Sequence, residues 1–281
     1  MSERKLTSEH VRLYENHLRL EEKSTATIEK YLHDIRAFAH WLGDSPVSRE
    51  AVTGWKECLL AQGRAPATVN GALAALNGLF RFLGWEDCRA KFLKVQRRLF
   101  RDQSRELTRA DYDALTAAAR TQGKERLALL MEAICATGIR VSEVRYLTVE
   151  AAKAGRAVIS LKGKIRTILI PNKLCRKLLK YAKQQKTASG GIFLTRNGTP
   201  LSRRQIWAEM KGLCKAVGVA ASKVFPHNFR HLFATAFYRA CKDIAKLADV
   251  LGHSSIETTR IYLLTSGAEH QRQLDRLGLV S

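Results

Sequence analysis

AVISLKGKIRTILIP, residues 157–171, decides the fold class. Aliphatic and β-branched residues alternate on either side of Lys162, Gly163 and Lys164, and the run stops at Pro171. The stretch therefore predicts a β-hairpin in a chain whose other periodicities are helical. Upstream, Leu127, Leu130, Ile134 and Cys135 predict a long helix interrupted at Thr137 and Gly138, with a second short helix before the hairpin. Downstream, helices resume near Lys173. IFLTRNGTPLS, residues 192–202, predicts a short strand, a turn at Asn197 and Gly198, and a helix from Ser202. From Pro226 to Gly278 the pattern is helical again, and no period of 20 to 50 residues repeats. The class is mainly α, with one small antiparallel β-sheet.

A different pattern precedes this. Val11, Leu13 and Leu18, then Ile28, Tyr31, Ile35, Phe38 and Trp41, recur at helical spacing. SREAVTGWKECLLAQG (48–63) and APATVNGALAALNGLFRFLG (65–84) follow as helices, each closed by a glycine. The 281 residues exceed the usual single domain of about 100–200 residues, so two cores are expected. The boundaries read as a helical domain over 1–94, a basic linker over 95–106, and a second domain over 107–281 that opens on a capped helix at Thr108. The Lys- and Arg-rich stretch AKFLKVQRRLFRDQSRE (90–106) reads equally as the solvated face of a helix or as a DNA contact.

Charge speaks to partners. There are 48 Lys and Arg against 26 Asp and Glu, a formal net charge of +22, which favours a polyanion. Nucleic acid is the expected one, because no basic amphipathic helix with a strongly apolar face, lipidation signal, signal-peptide core or membrane-length apolar run stands in the sequence. The expected location is cytoplasmic and DNA-associated. The six cysteines are scattered without a CxxC pair and read as reduced core thiols, not as zinc ligands.

Individually, the candidate site residues have bland readings. Arg140 and Glu143 in TGIRVSE stand three apart, as a structural ion pair or a catalytic group would, and Arg145 fits a surface position equally well. In FPHNFRHLF, Pro226 suits a first helical turn, and His227 and Arg230 share a face at an anion-favouring N-terminus. His227 and His231 have the spacing of helical zinc ligands, but no glutamate of an HExxH arrangement and no cysteine accompanies them. In GHSSIETTRIYLL (252–264), Gly252 suits a helix C-cap, Ser254 with Glu257 has the form of a capping box, and His253 falls at the corner between two helices. Tyr262, two turns into the second of them, suits a core position.

Together these fragments resemble the tyrosine recombinase (phage integrase) family, in its simple two-domain, Xer-like form. Its catalytic domain carries an arginine in TGxRxSE, a lysine on a β-hairpin, H-x-x-R, a GH corner, and a tyrosine nine residues after that histidine. They stand here as TGIRVSE, LKGKIR, HNFRH, GHSS and Tyr262. The resemblance spans 108–270, and the first domain is similar to the family's helical core-binding (SAM-like) domain. It implies a mixed α/β catalytic domain and a site-specific recombinase with Arg140, Lys162, His227, Arg230, His253 and Tyr262 as catalytic residues and Glu143 orienting Arg140. Lys164 is the alternative to Lys162 as general acid.

The implied chemistry is physically consistent. The two guanidiniums offer planar paired donors to the non-bridging phosphate oxygens, and the histidines add hydrogen bonds, each charge-assisted bond contributing about 1.5–3 kcal/mol. Attack by Tyr262 gives a covalent 3′-phosphotyrosine and a 5′-hydroxyl, protonated by the hairpin lysine. The bond energy is retained in the ester, so neither a metal nor another cofactor is implied. The implied partners are a double-stranded DNA recombination site and further copies of the chain in a tetrameric synapse, with the C-terminal segment GAEHQRQLDRLGLV docking on a neighbour. The length implies no further arm-binding domain. Two other readings compete: a type IB topoisomerase that relaxes supercoils as a monomer, and a non-catalytic DNA-binding protein, which explains the charge but not the ordered cationic set.

Overall fold

The structure is a computed structural model that describes residues 4–95, 103–161, 164–262, 271–272 and 275–277, without the side chains of 103, 161 and 164. The chain divides into two units, Met1–Arg97 and Arg98–Ser281. Residues 96–102 of the expected linker, Lys162, and most of GAEHQRQLDRLGLV lie outside the described residues.

The first unit is built from four helices, α1 (Ser8–Leu20), α2 (Thr25–Leu42), α3 (Arg49–Ala61) and α4 (Pro66–Phe82). Thr7, Ser24 and Ser48 cap the first three by accepting a backbone N–H at the third helical position, and α4 starts on its proline. Ile28, Leu32, Ile35, Phe38 and Leu42 form the inward stripe of α2 and pack against Leu73, Leu76, Leu79 and Phe80 of α4. Leu13 and Trp41, counted by spacing on apolar faces, are 41% and 42% exposed. On α4, Asn70 and Asn77 lie two turns apart and hold the following segment: Asn77 pairs both ways with the backbone of Ala90 (2.9 and 3.1 Å), and Asn70 with that of Leu93 (2.9 and 2.8 Å).

The second unit comprises α5 (Arg109–Thr121), α6 (Glu125–Thr137), a 3₁₀ segment Val141–Tyr146, α7 (Val149–Ala154), β1 (Arg156–Leu161), β2 (Lys164–Leu169), α8 (Asn172–Gln184), α9 (Arg203–Lys211), α10 (Cys214–Val217), α11 (Pro226–Cys241), α12 (Ile244–Leu251), α13 (Ile256–Thr259) and a 3₁₀ turn Arg260–Tyr262. Helix α6 is its axis. Leu127, Leu130, Met131 and Ile134 are fully buried there, with α5, α8 and α11 packed around them. The opening of this unit is two helices, because Gly123 takes a left-handed conformation (φ +68°) between α5 and α6.

The hairpin is antiparallel, pairing Ala157 with Ile168 and Ile159 with Arg166. Ala157, Ile159 and Ile168 face the core, while Val158, Ile165 and Leu169 are exposed, so the strand alternation turns one of two apolar faces to solvent. IFLT forms no named strand. Its pairing is limited to isolated bridges, Thr148 with Gly191 and Leu194 with Pro200, before Ser202 caps α9. All six cysteines are free. Cys88, Cys175 and Cys214 are buried, Cys58 and Cys135 half-buried, and Cys241 is exposed, so the expectation of core thiols fails for the last. No helix among the described residues is long and apolar enough to cross a membrane.

Candidate active site

Four backbone breaks in the second unit bring distant segments to one place. Helix α6 ends on Gly138, in the left-handed region at φ +63°, which turns the chain so that Arg140 starts the 3₁₀ segment. Its neighbour α11 begins at Pro226 and carries His227, Arg230 and His231 in its first turns. Helix α12 ends on left-handed Gly252 (φ +61°), and His253 follows at the corner, as the sequence predicts. The next helix starts one residue later than expected: Ser255, not Ser254, is the N-cap, accepting from the Glu257 N–H at 3.2 Å. It is a single turn that tightens to 3₁₀ at Arg260–Tyr262, so Tyr262 sits at the end of a short tapered element.

Arg230 is the hub. It is 2% exposed, and its guanidinium donates to the carbonyls of Gly138 and of Leu251 (2.8 Å), both at helix C-termini. It also contacts Nε2 of His253 at 3.0 Å and hydrogen-bonds Tyr262. Burial, then the charge of Arg140, lowers its pKa to about 10, which leaves it a cation at neutral pH. A guanidinium only donates, so Nε2 of His253 accepts, and Nδ1–H donates to Thr259 Oγ1 at 2.9 Å. His253 is thus assigned the neutral Nδ1–H tautomer. Its pKa falls to about 4 through burial and then Arg230, Arg140 and Arg166. His227 reaches solvent, yet the protein behind it lowers its pKa, with Arg230 and Arg140 adding to the effect.

Arg140 lies on the other side of a cavity of about 420 Å³, lined also by Ser142, Glu143, Arg166, His253 and Arg203. Its guanidinium is 3.1 Å from Glu143 and 3.3 Å from the Gly252 carbonyl, leaving its side chain 37% exposed toward the cavity. Glu143 is buried. It accepts the Arg140 backbone N–H at 2.8 Å and the Arg166 guanidinium at 2.5 Å. Burial pushes this carboxyl up, but those hydrogen bonds and the two cations outweigh it and hold it below the usual carboxylate range.

Tyr262 is buried at 3% exposure in a small cluster with Ala234, Leu247 and Leu251. Its ring lies nearly parallel to His253 (6.1 Å between centroids, 11°) and edge-on to His231 (4.9 Å, 60°). The core reading of this residue holds, because the ring is packed, and the hydroxyl meets Arg230. His231 faces Tyr262, and among the described residues no group of three or more His, Cys, Asp or Glu side chains is placed to hold a metal.

Arg140 thus contacts Glu143, and Arg230 contacts His253 and Tyr262; the two sets meet at the end of α12, where Arg140 holds the Gly252 carbonyl and Arg230 that of Leu251, with His227 on α11. Of the hairpin lysines, only the backbone of Lys164 is described, as the first residue of β2 opposite Leu161. Arg166 and Thr259 went unread in the sequence. For Arg166 a signal existed, because alternation places it on the same strand face as buried Ile168. Thr259 carried none, since an isolated threonine in a polar run is unremarkable until His253 folds against it.

Residues 105–268 match the model of the phage integrase family, and residues 11–87 that of the phage integrase N-terminal SAM-like domain. The chain is 28% identical to tyrosine recombinase XerA of Pyrococcus furiosus, over 100% of this chain and 98% of the relative. It is 33% identical to tyrosine recombinase XerD of Brucella suis, over 84% and 85%. Among solved structures, a lambda integrase tetramer bound to a Holliday junction shares the fold with a TM-score of 0.74, at 19% identity over 90% of this chain and 76% of that one.

Proposed function

Since the chain belongs to the phage integrase family and is a tyrosine recombinase, an enzyme that cleaves and rejoins DNA at specific sites, we propose that Tyr262 is its nucleophile and that Arg140, His227, Arg230 and His253 hold the scissile phosphate. The observation that carries this is the placement of the Tyr262 hydroxyl on the buried guanidinium of Arg230, beside the cavity that Arg140 lines.

The groups match the charges that develop. Arg140 and Arg230 face the non-bridging oxygens as the five-coordinate phosphorane forms. Tyr262 attacks phosphorus through its oxygen. His227, kept neutral by the burial and neighbouring arginines that lower its pKa, is the imidazole available to take its proton, since both nitrogens of His253 are engaged by Arg230 and Thr259. The P–O5′ bond breaks, the tyrosyl oxygen keeps the 3′-phosphate, and the lysine at the hairpin, Lys162 with Lys164 as alternative, gives its proton to the departing 5′-oxygen. Attack by the 5′-hydroxyl of a second strand reverses these steps on a new partner. No bond energy is lost, so no nucleotide or metal is needed in the cycle.

In this reading residues 1–94 are the core-binding domain and 107–281 the catalytic domain, and the protein works in the cytoplasm as a tetramer across two duplexes. The tetramer is supported by the assembly state of the lambda integrase whose fold it shares. The test is a covalent trap. A pool of random-sequence nicked duplexes is incubated with the protein in EDTA, and DNA that resists SDS is recovered. Wild-type protein is expected to yield a 3′-linked adduct and Tyr262→Phe none; an adduct from Tyr262→Phe refutes the assignment.

A further inference from the structure

Arg166 stands in the middle of the site without a part in the reading above. It leaves β2 two residues after Lys164 and reaches across to the corner after α12, where its guanidinium is 3.3 Å from the Val250 carbonyl and 2.5 Å from Glu143. Its side chain is 14% exposed, and its Nε–H is buried without a protein partner. Gly252 exists in a form that lets it pass: a β-carbon there would overlap Arg166 Cδ and lie 2.7 Å from Nη1. On this strand Ile165 is exposed and the buried anchors Ile168 and Ile170 lie farther along, while the partner strand is held opposite by buried Ile159 and by the Tyr146 hydroxyl on the Ser160 carbonyl.

Removing Arg166 does not release Arg140. Arg140 keeps Glu143 through both its guanidinium and its backbone N–H, and keeps the Gly252 carbonyl. What is lost is the tie between β2 and the corner that carries His253. We propose that Arg166 is a positioning residue for leaving-group protonation: it locks β2, the strand that follows the hairpin lysine, to the Gly252–His253 corner, and protonation of the departing 5′-oxygen by that lysine depends on this tie. The proposal rests on the reading of that lysine as the general acid.

The experiment uses full-length protein and the duplex recovered in the covalent trap, synthesised with either oxygen or sulfur at the bridging 5′ position of the scissile phosphate. With oxygen, the P–O5′ bond breaks and the lysine proton goes to O5′. With sulfur, the P–S bond breaks and the thiolate leaves without a proton. Arg166→Ala is expected to slow adduct formation on the oxygen duplex by on the order of 10²-fold and to recover to within a few-fold of wild type on the sulfur duplex. Arg230→Ala remains slow on both. Equal slowing of Arg166→Ala on the two duplexes, or no slowing on either, overturns the proposal. If Arg166→Ala fails to fold, Arg166→Lys carries the same comparison, since a single ammonium cannot span Glu143 and the Val250 carbonyl with the same fork. Failure of the underlying reading shows differently: either wild-type protein gives no adduct, or Lys162→Ala and Lys164→Ala are slow on both duplexes, and each of these also removes the basis for Arg166.

Discussion

Nη2 of Arg230 lies 3.0 Å from Nε2 of His253, and because the guanidinium only donates, this contact sets the imidazole's tautomer as well as its position. The same guanidinium satisfies the carbonyls at the ends of α6 and α12. Arg230→Ala should therefore cost both folding and chemistry. The loss of hydrogen bonds to a buried charge is expected to lower stability by about 1.5–3 kcal/mol, read by thermal or urea melting. Adduct formation should fall by on the order of 10²–10³-fold. Arg230→Lys should recover part of the stability and little of the activity, because one ammonium cannot replace the planar fork.

Thr259 is fully buried and receives the Nδ1–H of His253 at 2.9 Å. Thr259→Val preserves the volume and removes that acceptor. A destabilisation of about 1 kcal/mol is expected, together with a shift of the His253 tautomer signal in ¹⁵N NMR. An unchanged tautomer would show that Arg230 alone sets the ring's protonation.

The depressed histidine pKa values give stability a pH dependence of definite sign. An unfolded histidine takes up its proton near 6.5, while folded His253 waits until about 4. Between those values the unfolded chain binds more protons, so stability is full above about 6.5 and declines as pH falls toward about 4. His227, shifted the same way, adds to the slope. Glu143, held below its ordinary 4.5, contributes a further loss only at lower pH. Melting temperature against pH should show the decline, and His253→Asn should flatten it.

Gly138 combines a left-handed backbone at φ +63° with a close approach, since an added β-carbon would overlap the Phe233 ring. Gly155 has a similar φ of +68° and open space around it. Gly155→Ala is expected to cost about 1–2 kcal/mol from backbone strain alone, and Gly138→Ala about 1–3 kcal/mol more through forced repacking. The difference between their urea midpoints measures the packing contribution. Adduct formation should suffer only for Gly138, whose carbonyl holds Arg230.

Much of this was legible because it is local. The hairpin followed from aliphatic alternation around Lys162 to Lys164. The α11 start followed from Pro226, and the α12 end from Gly252, each a backbone preference carried by one residue. Where local signals were weak, tertiary contacts overrode them. IFLT has strand-like residues but no partner strand, so it makes bridges only. Ser254 and Ser255 cap equally well by type, and the chain's exit from the Gly252 corner selects the second.

Composition, periodicity and ordered motifs are properties of the chain, and they carry the two helical patterns, the single hairpin, the polyanion-favouring charge, the cationic residues and the tyrosine. The folded chain alone shows that Arg230 links the ends of α6 and α12 to His253 and Tyr262, that Thr259 backs the imidazole, and that Arg166 ties the hairpin to the same corner. Those relations join residues as far as 92 positions apart. They exist because packing around α6 brings helix ends together, and no periodicity within any one segment encodes that meeting.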